Sequence, residues 1–167
     1  LIPLAHWGWQ ADSALTIGGL RPGVDSSADT VQLKAQGSRE LRFRLDKPGT
    51  YFYWGALGQT NWSDRLWFDS QLNGAIVVDA DAEPRPDHIF LISEWFHPYD
   101  DRPFEVVSLI NGKGWPHTSR LTLQQGDSTR FRVINTIALF HPMHLHGFYY
   151  RVEARGDWEK DGPIAPE

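Results

Sequence analysis

The chain contains no cysteine. That absence removes disulfides, thiolate nucleophiles and any thiolate metal site built from this chain alone, and it leaves the redox compartment open. A basic field is missing too. The net charge is −5 with histidine neutral, so nothing is set to neutralise phosphates and nucleic acid is not expected as a partner. No apolar run approaches the roughly 18 residues needed to span a bilayer. The opening LIPLAHWGWQ lacks the basic start and long apolar region of a signal peptide. It begins with Leu1 rather than Met, so a mature, processed or partial chain is expected. No segment holds an amphipathic helical period over a dozen residues.

What is present reads as β-structure. Aromatics make up 13% of the 167 residues, with eight Trp, which gives ample apolar surface for a core. TVQLKAQ (30–36), ELRFRLD (40–46), SRLTLQQGD (119–127) and TRFRVIN (129–135) alternate polar and apolar residues, the period of a strand with one buried face. TYFYWGA (50–56), NGAIVVDA (73–80), HIFLISEW (88–95), FEVVSLING (104–112) and HLHGFYYRVEARG (144–156) are apolar or aromatic runs closed by Gly, Asn or Asp. Short strands with this punctuation predict an all-β sandwich or barrel. Residues 57–72 are expected to form a long loop or short helix.

The acidic, two-proline stretch DADAEPRPD (79–87) suits a linker between compact units. It separates a first unit, 1–86, from a second, 87–167. The halves share a coarse plan of alternating strand, Gly turn and aromatic strand, so they are expected to be related.

Three of the seven histidines, His141, His144 and His146, fall in HPMHLHG (141–147). On a strand, residues two apart share a face, so His144 and His146 project together, with Leu145 turned into the core. Pro142 restricts His141 to extended geometry and cannot donate to a ladder, so His141 is aimed differently. Gly147 permits close approach beside His146. Neutral imidazole suits Zn, Cu, Fe and Ni, and spacing alone does not choose among them. A cupin site places Glu a few residues further on, where Tyr150 and Arg151 stand. An HxHxDH site needs Asp where Phe148 stands, and no G-x-S-x-G is found.

HPMHLHGFYYRV resembles the HPxHLHG copper-ligand motif of the multicopper oxidases, the laccase-like family. RVIN and NGKGWP upstream are also similar to that family. KPGTYFYWG stands where the family has P-G-T-Y-x-Y-H-S-H, and DSQLNGAIVVDA resembles the segment that closes the family's first domain. The resemblance covers residues 29–157. It implies cupredoxin-like Greek-key sandwiches, here parts of two related domains, with four copper ions and one-electron oxidation of a substrate coupled to reduction of O2 to water. It makes His141 a type 1 copper ligand, His144 a type 2 ligand and His146 a type 3 ligand. It further implies an exported protein, secreted or periplasmic, acting on phenolic or metal-ion substrates.

The chain departs from that pattern. Trp54-Gly55-Ala56 replaces H-S-H, the HWHG motif is echoed only by His6-Trp7-Gly8, and the cysteine-bearing motif is absent. Other chain segments or further copies are therefore expected to complete the sites. The alternatives are a cupredoxin-like copper-binding module without a working trinuclear cluster, and a degenerate structural domain without metal. Among the remaining candidates, His88 is expected as a surface cap and His97 as a turn residue beside Asp100 and Asp101. His117 is expected to tie down its loop, and Arg130 and Arg132 to form a solvated face. Trp54, Trp62 and Trp67 are expected to fill core or loop contacts, with Trp54 plugging the space left by the missing ligands.

Overall fold

The computed structural model describes residues 14–21, 29–57, 65, 68–80, 87–97, 105–137, 139–156 and 161–162. The linker residues 81–86, and with them most of the expected boundary, lie outside the described residues, as do His6, Trp62, Trp67, Asp100 and Asp101.

The architecture is all-β. Strands β1 (Leu15–Gly18), β2 (Thr30–Leu33), β3 (Gly49–Leu57) and β4 (Asn73–Val78) form one antiparallel sheet in the order β2-β1-β3-β4. A 3-10 turn at Phe68–Gln71 precedes β4. Strands β5 (Asp87–His97), β6 (Glu105–Ile110) and β7 (Arg130–Asn135) form a second sheet in the order β6-β5-β7. There β5 runs antiparallel to β6 and parallel to β7. A two-residue ladder joins β8 (Arg155–Gly156) to β9 (Asp161–Gly162).

Local chemistry accounts for several of these elements. β4 and β5 are rich in β-branched and aromatic side chains, which fit a pleated, half-buried surface. β6 ends at Asn111-Gly112, both at positive φ (52° and 73°), as a two-residue primed turn requires. The Asn111 side chain accepts from Leu91 N at 2.9 Å and donates to Ile89 O at 2.8 Å, pinning the turn to β5.

Among the described residues the expected strands 40–46 and 119–127 form no ladder, and of 144–156 only Arg155–Gly156 pairs. Residues 40–46, 119–127 and 144–154 are exposed and lie outside every ladder, with a turn at His146–Gly147, and Leu41, Phe43, Leu45, Leu121, Leu123 and Leu145 are all open to solvent. Alternation states which face of a strand is apolar, but a ladder also needs a neighbouring backbone. Leu145 is therefore not in a core. β7 also differs from expectation. Ile134 is buried and Val133 is exposed, so Arg132 shares the inward face with Ile134. Its guanidinium bonds Asp87, Asp79 and Thr50, and Arg130 pairs with Asp87 and Glu153. The two arginines are ion-paired, not a solvated face.

The buried set is unusually polar. Beside Trp54, Ala56, Ile92 and Ile134 it contains Thr16, Asp29, Arg65, Ser70, Ser93, Glu94 and Thr136. Buried polar groups are stable only when bonded; Asp29 takes Arg21, and several of the others bond from one half of the chain to the other. Ser70 Oγ and Gln71 Nε2 both donate to Glu94 O at 2.9 Å. Asn73 Nδ2 donates to Thr136 Oγ1 at 3.2 Å, and Thr136 Oγ1 donates to Ile92 O at 2.8 Å. This polar seam carries the turn before β4 onto β5 and onto the start of the loop that leads to HPMHLHG.

Candidate metal centre

His141 is delivered by a short, well-bonded loop. Thr136 N continues the β7 ladder to Ile92 O at 3.0 Å. Asn135 then folds the chain over. Its Nδ2 donates to Leu139 O at 2.7 Å and its Oδ1 accepts from Ile137 N at 3.3 Å. His141 stands against Glu94 of β5, with His141 Nε2 3.4 Å from Glu94 Oε1. Nε2 is enclosed and makes no hydrogen bond, and Glu94 is only 5% exposed.

His144 and His146 lie on the other side of Pro142. Their rings project to the same side, with centroids 4.8 Å apart and Nε2 atoms 3.1 Å apart. Both side chains are exposed. Tyr150 donates its hydroxyl to Met143 O at 3.0 Å, which curls residues 143–150 into a compact bend. Gly147, at φ 78°, occupies the left-handed region that glycine tolerates best.

The histidine pair fits a metal ion in donor chemistry and in separation. Imidazole nitrogen is a ligand for Cu and its neighbours, and two nitrogens at 3.1 Å match adjacent ligands on an ion with metal–nitrogen bonds of about 2.0–2.1 Å. The enclosed, unbonded nitrogen of His141 marks a second polar site. His141 is not drawn into one cluster with the pair. Among the described residues, no group of three or more His, Asp or Glu side chains is placed to hold an ion.

The segment at 54–56 does not fit. Trp54, Gly55 and Ala56 are buried and offer no side-chain ligand. Arg65, 3% exposed, stands beside them. It donates to Gly55 O and Leu72 O at 3.3 Å and to Thr136 O at 3.1 Å, with its guanidinium 5.6 Å from the Trp54 ring centroid. The segment that stands where the family motif has H-S-H therefore has a fixed cation beside it. Trp54 is buried and packs against Gly18, where an added Cβ would lie 2.5 Å from the ring, so the indole fills a core contact as expected.

The other histidines play local parts. His88 lies within β5, its ring 5.7 Å from that of Phe131, a strand contact rather than a cap. His97 ends β5 opposite Glu105. His117 closes its loop through its backbone, donating N–H to Gly114 O at 2.8 Å. Glu94 and Arg65 are the residues that sequence pattern did not single out. The signal for Glu94 is a lone acid inside the apolar run HIFLISEW, since carboxylates are almost never fully buried without a partner.

No curated protein and no solved structure matches the chain. The sequence model of the multicopper oxidase family matches residues 81–164, half of the chain, including the intact HPMHLHG. With its two sheets forming a cupredoxin-like β-sandwich architecture, the chain belongs to the multicopper oxidase family.

Proposed function

We propose that this chain binds copper through His141, His144 and His146 and belongs to an oxidase that couples one-electron oxidation of a small phenolic or metal-ion substrate to reduction of O2. The observation that carries this reading is the histidine geometry within the family match: two imidazole nitrogens 3.1 Å apart and a third imidazole held separately against Glu94. Copper would supply one-electron redox chemistry. Four electrons and four protons convert one O2 to two waters, so four one-electron oxidations of substrate balance one O2. The chain's own contribution is to fix His141 by the Asn135 loop and to hold His144 and His146 side by side on the bend that follows. Residues 1–86 and 87–167 are read as parts of two related cupredoxin-like domains, supported by each half supplying its own sheet. Other chain segments or further copies complete the ligand set. Secretion or a periplasmic location follows from the family reading. Among the described residues, no helix is long and apolar enough to cross a membrane.

A second reading is a copper-binding module without a working trinuclear cluster. It is favoured by Trp54-Gly55-Ala56 and by the Arg65 guanidinium beside them. Copper stoichiometry, EPR and O2 uptake separate the two. About four coppers per protomer, a blue absorption band and O2 consumption support the oxidase. One or two coppers without O2 consumption support the module. Copper content no higher than in a chain with all three histidines changed to Ala refutes both.

A further inference from the structure

Among the three motif histidines, His141 has a buried carboxylate beside its ring. We infer that Glu94 is a positioning residue for His141, holding the ring with its hydrogen on Nε2 so that Nδ1 is the nitrogen left to bind a metal ion. This rests on the copper-binding reading above.

The pair is built from both sides. Glu94 lies in β5 opposite Ser108 of β6, and its carbonyl takes two donors, Ser70 Oγ and Gln71 Nε2. The backbone that carries the carboxylate therefore has little freedom. On the other side the Asn135 bonds to residues 137 and 139 set the path of the loop, and Pro142 keeps His141 extended. The outcome is an enclosed Nε2 that lies 3.4 Å from Glu94 Oε1.

The chemistry of that contact has one sense. A neutral imidazole carries one N–H and one lone pair, and an ionised carboxylate only accepts. A lone pair on Nε2 would face the carboxylate oxygens and repel them. A hydrogen on Nε2 is attracted, and a slight closing of the gap makes it a charge-assisted hydrogen bond. Nδ1 then keeps its lone pair. Carboxylates bonded to the far nitrogen of a ligating histidine orient the ring and raise its basicity, and removing them typically lowers metal affinity about 10–100-fold. His144 and His146 are arranged otherwise, since their Nε2 atoms face each other. The motif thus presents one histidine oriented by a carboxylate and two oriented by neighbouring imidazole.

The test uses the whole chain, with far-UV circular dichroism as the check on folding. Long-range nitrogen–proton NMR of the metal-free protein reads the tautomer of His141. Titration with Cu(II) alone reads affinity in the parent, Glu94→Met, His141→Ala and the double variant. The expected result is an Nε2–H tautomer for His141 in the parent and a mixture in Glu94→Met. Cu(II) affinity falls about 10–100-fold in Glu94→Met, with no further effect of that change once His141 is Ala. If Glu94→Met does not fold, Glu94→Asp, which withdraws the carboxylate by one methylene, is read in its place with the same expected direction. An Nδ1–H tautomer in the parent overturns the inference, and so does a Glu94 variant with parental tautomer and affinity. A parent that binds Cu(II) no more tightly than His141→Ala overturns the copper reading of His141 instead, and the NMR result then decides the Glu94–His141 pair by itself.

Discussion

Replacing Arg65 with Met keeps an unbranched apolar stem and removes the charge and its five donors. The guanidinium serves three backbone carbonyls, of which Leu72 O keeps the Gly55 amide at 2.6 Å. The cost therefore falls on Gly55 O and Thr136 O, at about 1–1.5 kcal/mol each. The contact with the Trp54 face adds about 1 kcal/mol. Release of a buried cation from its desolvation penalty offsets part of this loss. The net expectation is a destabilisation of about 2–3 kcal/mol. With a urea slope of about 2 kcal/mol per M, the unfolding midpoint drops by about 1–1.5 M. Arg65→Lys, which restores a point charge without the fork, is expected to recover about half of the loss. The assay is urea unfolding followed by tryptophan fluorescence, with Trp54 as a direct reporter. A midpoint for Arg65→Met within about 0.3 M of the parent would show that the guanidinium does not hold the two sheets together.

Gly18→Ala is expected to cost about 1–3 kcal/mol through overpacking against Trp54, measured by thermal or urea unfolding. In a Trp54→Leu background the same change is expected to cost much less, and equal costs in both backgrounds would remove Trp54 as the cause. Asn111→Ala loses both side-chain bonds to β5 and strains a residue at φ 52°. It is expected to destabilise by about 1–2 kcal/mol, and Asn111→Gly by less, since glycine keeps the turn. Asp87→Asn removes the charge that faces Arg130 and Arg132 at a site where Asp87 is only 7% exposed. It is expected to lower stability by about 2 kcal/mol, and the loss persists in high salt because burial limits screening.

Strand positions were legible wherever a run carried its own reason to be extended and had a neighbour. TYFYWGA, NGAIVVDA, HIFLISEW and the Asn-Gly turn after β6 all fall where their composition puts them. Leu15–Gly18 escaped notice because four residues carry too little pattern. ELRFRLD misled in the opposite way, since its alternation is complete but no backbone pairs with it among the described residues. In β7 the pattern chose the wrong face, because an arginine with two aspartates within reach is as much at home inward as a valine. That His144 and His146 project together was legible from their spacing, although they sit at a bend and not on a paired strand. Glu94 and Arg65 were not, because their partners lie 47 and 71 residues away in the chain, and long-range polar pairing leaves no periodic trace.

Thr136 brings the two sheets to one point. It is 1% exposed, and its N–H, hydroxyl and carbonyl are all engaged, with Ile92, Asn73 and Arg65. Two of those partners come from the first half of the chain, and His141 follows five residues later. The threonine works as a keystone: if residues 65–73 loosen, the loop that carries His141 loses its springer. On the proposed copper reading of His141, metal affinity and resistance to unfolding become two readings of the same equilibrium, so copper added to the folded protein is expected to slow hydrogen exchange of the Arg65 and Asn73 side-chain protons.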